Sequence, residues 1–163
     1  MNYSKLYNVK SPNRGTARSA GIDFFVPENT EEFISKFTSK NPTIEITDTG
    51  FNVPAHARVN IPSGIRVHVP TGFALIAFNK SGVSLKYGLD VGACVVDEDY
   101  QGEVHLSLTN TSDKGVHIDF GQKIVQFILL PIFYDDVHEV YDKDLFAEES
   151  ERGTGAFGST GSK

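Results

Sequence analysis

From Ile44 to Ile132 the chain never runs far without a turn. Ile44 and Ile46 alternate with polar residues, and Asp48-Thr49-Gly50 turns. Val59-Asn60-Ile61 and Ile65 to Val69 read as two strands, with turns at Pro62-Ser63-Gly64 and Pro70-Thr71-Gly72. Phe73 to Phe78, Val91 to Val96, Val104 to Leu108, Val116-His117-Ile118 and Gln122 to Ile132 continue the series. Short alternating runs with turn signals about every eight to twelve residues predict an all-β barrel or sandwich. The length, 163 residues, suits one domain.

Ahead of this region, Met1 to Tyr7 can open the fold as a strand. Ser11-Pro12-Asn13-Arg14-Gly15 is a loop, and Ala20 to Pro27 reads as a buried strand carrying Asp23. A carboxylate among apolar neighbours needs partners, either local amides or a cation. One helix is predicted between Glu28 and Lys40, over about residues 29–40. Asn29 or Thr30 can cap it, Phe33, Ile34 and Phe37 share a face, and Asn41-Pro42 stops it. It has a packing role and no evident chemistry.

Charge and cysteine content narrow the partners. A net charge of −6 lacks the basic footprint of a nucleic-acid binder. An anionic ligand would be held by local donors against the overall field. Cys94 is the single cysteine, so no disulfide forms within the chain, and its apolar surroundings make it a core thiol. No run approaches the ~18 apolar residues of a membrane span, and no leader pattern is present. The expected compartment is reducing and cytoplasmic, with no membrane partner. Five histidines are scattered without metal-ligand spacing.

Three stretches carry polar groups where backbone turns. The apolar run ending at Val96 enters Asp97-Glu98-Asp99-Tyr100-Gln101-Gly102 and returns along Val104, Leu106 and Leu108. This is a hairpin with a longer loop. Its bend is either a solvated acidic turn or a surface where main chain meets a ligand. Asn79 to Ser84 is a second turn, offering the Lys80 charge, the Ser81 hydroxyl and the Gly82 amide. The tail from Arg152 to Gly161 places four glycines in nine residues. It is either a flexible end or a phosphate cradle built from amides, hydroxyls and one guanidinium.

Taken together, five stretches resemble the trimeric dUTP pyrophosphatase (dUTPase) family. They are Ala20-Gly21-Ile22-Asp23, Lys80-Ser81-Gly82, Val91 to Glu103, Gly121 to Gln126, and Arg152 to Gly161. The resemblance implies an all-β, jelly-roll-like barrel with one short inserted helix. The barrel domain would cover residues 1–145. Residues 146–163 would form a flexible glycine-rich arm that closes over the active site of a neighbouring subunit in a homotrimer. The implied reaction is hydrolysis of dUTP to dUMP and pyrophosphate with Mg²⁺, which keeps uracil out of DNA and supplies dUMP for dTTP synthesis. Asp97 would be the base that activates water.

By the same resemblance, Lys80, Ser81, Gly82, Gln126, Arg152, Gly158, Ser159 and Thr160 would hold the phosphates. Tyr100 would pack against the deoxyribose and exclude a 2′-hydroxyl. Main chain around Cys94, Val95, Val96 and His105 would read the uracil edge, and Phe157 would close over the base. Asp23 would reach a triphosphate-held Mg²⁺ through water. Four positions depart from the family's habit: Lys80 stands for arginine, Asn79 for proline, and Cys94 and Ala156 for glycine. Lysine offers phosphate a point charge where arginine offers a fork. Two rivals remain, a dCTP deaminase-type enzyme of the same superfamily and a dUTP-dependent regulatory module. Ammonia release from dCTP and a dUTP-dependent pull-down distinguish them.

Overall fold

Strand alternation organises the chain, as a computed structural model describing residues 1–156 shows. In chain order the elements are β1 (Asn2–Lys5), β2 (Ile22–Phe25), α1 (Glu31–Lys40), β3 (Glu45–Ile46), β4 (Gly50–Val53) and β5 (Arg58–His68). There follow β6 (Phe73–Asn79), α2 (Ser81–Tyr87), β7 (Leu89–Val91), β8 (Val95–Val96), β9 (Glu103–Asn110), β10 (Val116–Asp119) and β11 (Lys123–Pro131). The strands form three sheets, ordered β1-β5-β9-β7, β10-β4-β3 and β2-β11-β6-β8. The all-β, jelly-roll-type expectation holds, although no sheet closes on itself. No described helix is long and apolar enough to cross a membrane.

Period-two alternation decides which side chains are inside. Along β9, Val104, Leu106 and Leu108 are buried, while Glu103, His105, Ser107 and Thr109 face the other way. Val59 and Ile61 of β5 meet them, and Phe24, Leu75, Val125 and Phe127 extend the core. A strand with one face packed and one face polar shows this alternation.

The predicted helix is present, beginning slightly late. Thr30 is its cap and accepts a hydrogen bond from the Phe33 amide at 3.3 Å. Phe33 and Phe37 are fully buried, and the Phe37 ring lies 4.4 Å from that of Phe51, centroid to centroid. Asn41 ends the helix and joins it to β5. Its amide donates to the Asn60 carbonyl at 2.9 Å, and its oxygen accepts from the Asn60 N–H at 2.8 Å.

Two local expectations are corrected. Pro62-Ser63-Gly64 does not separate two strands, because β5 runs continuously through it with a register shift between Pro62 and Arg66. Gly64 has φ +71, and the segment is a bulge, which turns a backbone group out of the ladder. The turn after Asn79 winds into α2, which starts after Lys80 without a side-chain cap and ends at Gly88 with φ +66. A left-handed glycine there is the usual helix stop.

Contacts divide the chain into Met1–Phe133 and a second unit from Tyr134 onward. The second unit, described through residue 156, has one short 3₁₀ turn at Asp142–Asp144 and no buried residue.

Removing the Phe37 ring leaves a cavity between α1 and β4. Phe37→Ala is expected to cost about 3–5 kcal/mol of unfolding free energy, measured by urea denaturation. A loss below about 1 kcal/mol would contradict this packing.

Candidate active site

The central hairpin opens because its first strand changes sheets. Val91 of β7 pairs with Leu108 of β9, and the Gly92 N–H donates to the Ser107 carbonyl at 2.9 Å. Two residues later the Cys94 carbonyl accepts from the Ala77 N–H of β6 at 2.7 Å, and Val95 and Val96 pair with Ile76 and Leu75. The chain therefore leaves β9 between Gly92 and Cys94. Main-chain groups alternate sides along a strand, so those of His105 point the same way as Ser107's, toward the side from which β8 has turned. Cys94 has committed its carbonyl, and its N–H is what it can offer a ligand.

At the bend, the Tyr100 N–H donates to the Asp97 carbonyl at 3.2 Å. The Asp97 side chain is exposed and makes no hydrogen bond or ion pair among the described residues. Val95 is exposed and Val96 buried. Tyr100 is 43% exposed and its hydroxyl donates to the Glu103 carbonyl at 2.9 Å. Gly102 permits this fold-back, since a Cβ there would come 2.4 Å from the Tyr100 oxygen. Glu98 accepts from the Gly72 N–H and moors the bend to the β5–β6 turn. A cleft of about 450 Å³ beside Tyr100 is lined by Tyr3, Arg66, His68, Glu98 and Gln101 among others. Tyr100 also lines it, and Asp97 does not.

A second cluster gathers Asp23, Lys80, Lys123 and Gln126. Asp23 is 4% exposed. One carboxylate oxygen pairs with Lys80, and the other lies 3.1 Å from the Lys123 ammonium. The expected partners of this buried acid are therefore two cations, and two charges offset its desolvation. Gln126 of β11 stands opposite Asp23 and donates to the Asn79 carbonyl at 2.7 Å. Gly21 makes room for it, because a Cβ at Gly21 would lie 2.1 Å from the Gln126 oxygen.

Asn79 explains its own departure from proline. Its amide donates to Asp90 at 2.8 Å and its oxygen accepts from the Val91 N–H at 2.7 Å, tying β6 to β7. Ser81 and Gly82 are exposed at the start of α2. Their amides precede the first intrahelical bonds, which run from Val83 and Ser84 to the Lys80 carbonyl. Such amides lack an intrahelical acceptor.

The structure thus assembles Asp23, Lys80, Ser81, Gly82 and Gln126 in one place, and Cys94, Asp97, Tyr100 and His105 in another. Among the described residues no hydrogen bond or ion pair joins Asp97 to the lysine cluster. Arg152 lies in the second unit, where its guanidinium donates to the Gly155 carbonyl at 2.9 Å. Phe157, Gly158, Ser159 and Thr160 lie outside the described residues. Lys123 and Glu103 escaped sequence reading, because their partners are remote in the chain. Only the buried Asp23 signalled that a cation was needed.

Among the described residues no three His, Cys, Asp or Glu side chains converge to hold a metal. Both oxygens of Asp23 are engaged by lysines, so the chain offers no ready inner-sphere site.

The dUTPase family profile matches residues 46–161. A deoxyuridine 5′-triphosphate nucleotidohydrolase of Arabidopsis thaliana is 44% identical over 152 residues, covering 92% of this chain and 75% of the relative. The Kluyveromyces lactis protein of the same name is 34% identical over 154 residues, covering 94% and 88%. Among solved structures, a Staphylococcus bacteriophage 80alpha dUTPase with dUPNHPP superposes with a TM-score of 0.76 at 21% identity, covering 98% and 97%. At that identity the likeness concerns the fold.

His105 gives the site a pH signature. Its ionisation is lowered from the usual 6.5, first by burial and then by the Lys40 charge. As pH falls through 6.5 the unfolded chain takes up a proton that folded His105 resists. The associated stability is full above about pH 6.5 and declines below it. His105→Gln is expected to flatten the stability slope below about pH 6.5, followed by denaturation at stepped pH. An unchanged slope would contradict a buried neutral imidazole.

Proposed function

This chain belongs to the dUTPase family, and from that premise we propose how it hydrolyses dUTP to dUMP and pyrophosphate. The observation that carries the reading is the opened hairpin, which sets Asp97, unpaired among the described residues, beside Tyr100 and near the Cys94 N–H and the His105 main chain, where the β7–β9 ladder has ended.

The uracil edge is read by main-chain groups of Cys94, Val95, Val96 and His105. Fixed amides and carbonyls discriminate bases by hydrogen-bond pattern, and a missing partner in such a site is costly. Tyr100, restrained through its hydroxyl, packs against the deoxyribose and leaves no room for a 2′-hydroxyl. Asp97 accepts a proton from water as the water oxygen attacks the α-phosphorus. The bond from that phosphorus to the α,β-bridging oxygen breaks, and pyrophosphate leaves with the bridging oxygen.

Charge growing on the phosphate oxygens needs fixed donors and cations. Lys80, the Ser81 hydroxyl, the Gly82 amide and Gln126 supply them from the barrel. Lys80 already serves Asp23, so binding requires it to turn from carboxylate to phosphate while Lys123 stays. Arg152, Gly158, Ser159 and Thr160 complete the cage, and Phe157 covers the base. Mg²⁺ would add charge neutralisation while held by the triphosphate. Asp23 fits only an outer-shell role through water, as suits an ion that dehydrates reluctantly.

The active assembly is a homotrimer with sites shared between subunits. Two observations support this: among the described residues, Asp97 and the lysine cluster have no direct link within one chain, and no residue of the second unit is buried. The barrel covers residues 1–145, and residues 146–163 form the arm that closes a neighbour's site. A reducing, cytoplasmic setting suits a chain whose one cysteine, Cys94, is free.

Pyrophosphate release from dUTP, dTTP, dCTP and UTP, with and without Mg²⁺, tests the reading. dUTP should be strongly preferred. Asp97→Asn should still bind dUTP but lose turnover by about two to four orders of magnitude. Near-normal kcat would remove Asp97 as the base, and ammonia release from dCTP would favour a deaminase. Truncation before Arg152 should leave a folded protein with poor activity, and an unfolded product would contradict the arm.

A further inference from the structure

Resting on the dUTP reading above, we infer that Glu103 is a positioning residue for substrate specificity, through which α1 and the N-terminal segment set the base- and sugar-reading end of the hairpin. Glu103 opens β9, directly after the loop that carries Asp97 and Tyr100. Its carboxylate is held from three directions. One oxygen accepts from the Tyr7 hydroxyl and from the Gly64 N–H, the latter at 2.7 Å. The other lies 3.6 Å from the Lys36 ammonium of α1. Lys36 is itself fixed over the Tyr7 ring, 4.6 Å from its centroid, and pairs with Glu32.

The main chain of the same residue faces the ligand side. Its carbonyl accepts from the Tyr100 hydroxyl and from His105 Nδ1, each at 2.9 Å. A carbonyl has two lone pairs, and both are taken by the residues proposed to meet sugar and base. Because Nδ1 donates, His105 is the Nδ1–H tautomer, and its buried Nε2 makes no hydrogen bond among the described residues. Nothing else in the described structure holds that ring by hydrogen bonding. The orientation of one carbonyl therefore sets the Tyr100 ring and the His105 side chain together.

The bulge in β5 belongs to the same device. Within the register shift at Pro62–Arg66, the Gly64 N–H donates to the Glu103 carboxylate. A Cβ at Gly64 would lie 2.9 Å from the Tyr7 ring, so only glycine admits Tyr7 to the carboxylate. The inserted helix α1, whose sequence shows only a packing face, delivers Lys36 to this point.

The test compares Glu103→Ala, Glu103→Gln, Tyr7→Phe and Lys36→Met in the full chain. The ratio of kcat/KM for dUTP over UTP should fall about tenfold in Glu103→Ala, the scale of one or two lost hydrogen bonds, with kcat for dUTP nearly unchanged. Glu103→Gln should restore most of it, because its oxygen can still accept from Tyr7 and Gly64. Tyr7→Phe should fall in between. Independently of turnover, ¹⁵N imidazole shifts should report a pure Nδ1–H tautomer for His105 in the native chain and a tautomer mixture in Glu103→Ala. If Glu103→Ala does not fold, Tyr7→Phe and Lys36→Met decide. An unchanged dUTP/UTP ratio in the folded variants, or an unchanged His105 tautomer, overturns the inference. Failure of the native chain to hydrolyse dUTP would overturn the function instead, and the imidazole spectra would still judge Glu103.

Discussion

Backbone groups buried in a sheet must be paired, and residues Leu89 to Val96 meet that demand with two different neighbours. The first half hydrogen-bonds to β9 and the second half to β6. This switch joins two sheets at one point. It also leaves the start of β9 without its hairpin partner. A regular hairpin would have consumed the main-chain groups of His105 in the ladder. The divided one leaves them for a ligand while the core side chains on the other face stay packed. Fold and recognition surface thus follow from the same few hydrogen bonds.

Around that opening, charge is distributed by burial. Asp97 is exposed and, among the described residues, unpaired, as the role of base proposed for it requires. Asp23 is buried and balanced by two lysines, because a lone buried carboxylate would be costly. The lysine pair stores positive charge beside Gln126 in a chain whose net charge is −6. An anionic substrate therefore meets local donors despite an unfavourable overall field. Glu103 and Glu98 take no part in this balance and hold the bend in place.

The residues differed in how plainly the sequence announced them. Alternation disclosed the strands, and α1 was visible from Phe33, Ile34 and Phe37 with Asn41-Pro42 behind them. The bulge at Gly64 reads as a turn in the sequence, since Pro-Ser-Gly is turn chemistry and only the β9 partner shows that pairing resumes beyond it. The helix α2 was hidden because seven residues carry too little periodicity. Asp97, Tyr100 and Lys80 stood out through motif resemblance. Lys123 beside Asp23 and Tyr7 beside Glu103 could not, because contacts between residues about a hundred positions apart leave no local signature. Asn79 stands where the family commonly has proline, and it is a clasp between β6 and β7.

The central claim is that main chain in the opened hairpin reads the base. Hydrogen–deuterium exchange with a non-hydrolysable α,β-imido dUTP analogue addresses it most directly. Slowed exchange is expected at the amides of Cys94 and His105, with further protection at Ser81 and Gly82, and a matching dCTP analogue should leave the hairpin amides unprotected. Protection confined to Ser81 and Gly82, or equal hairpin protection by both analogues, would contradict the account.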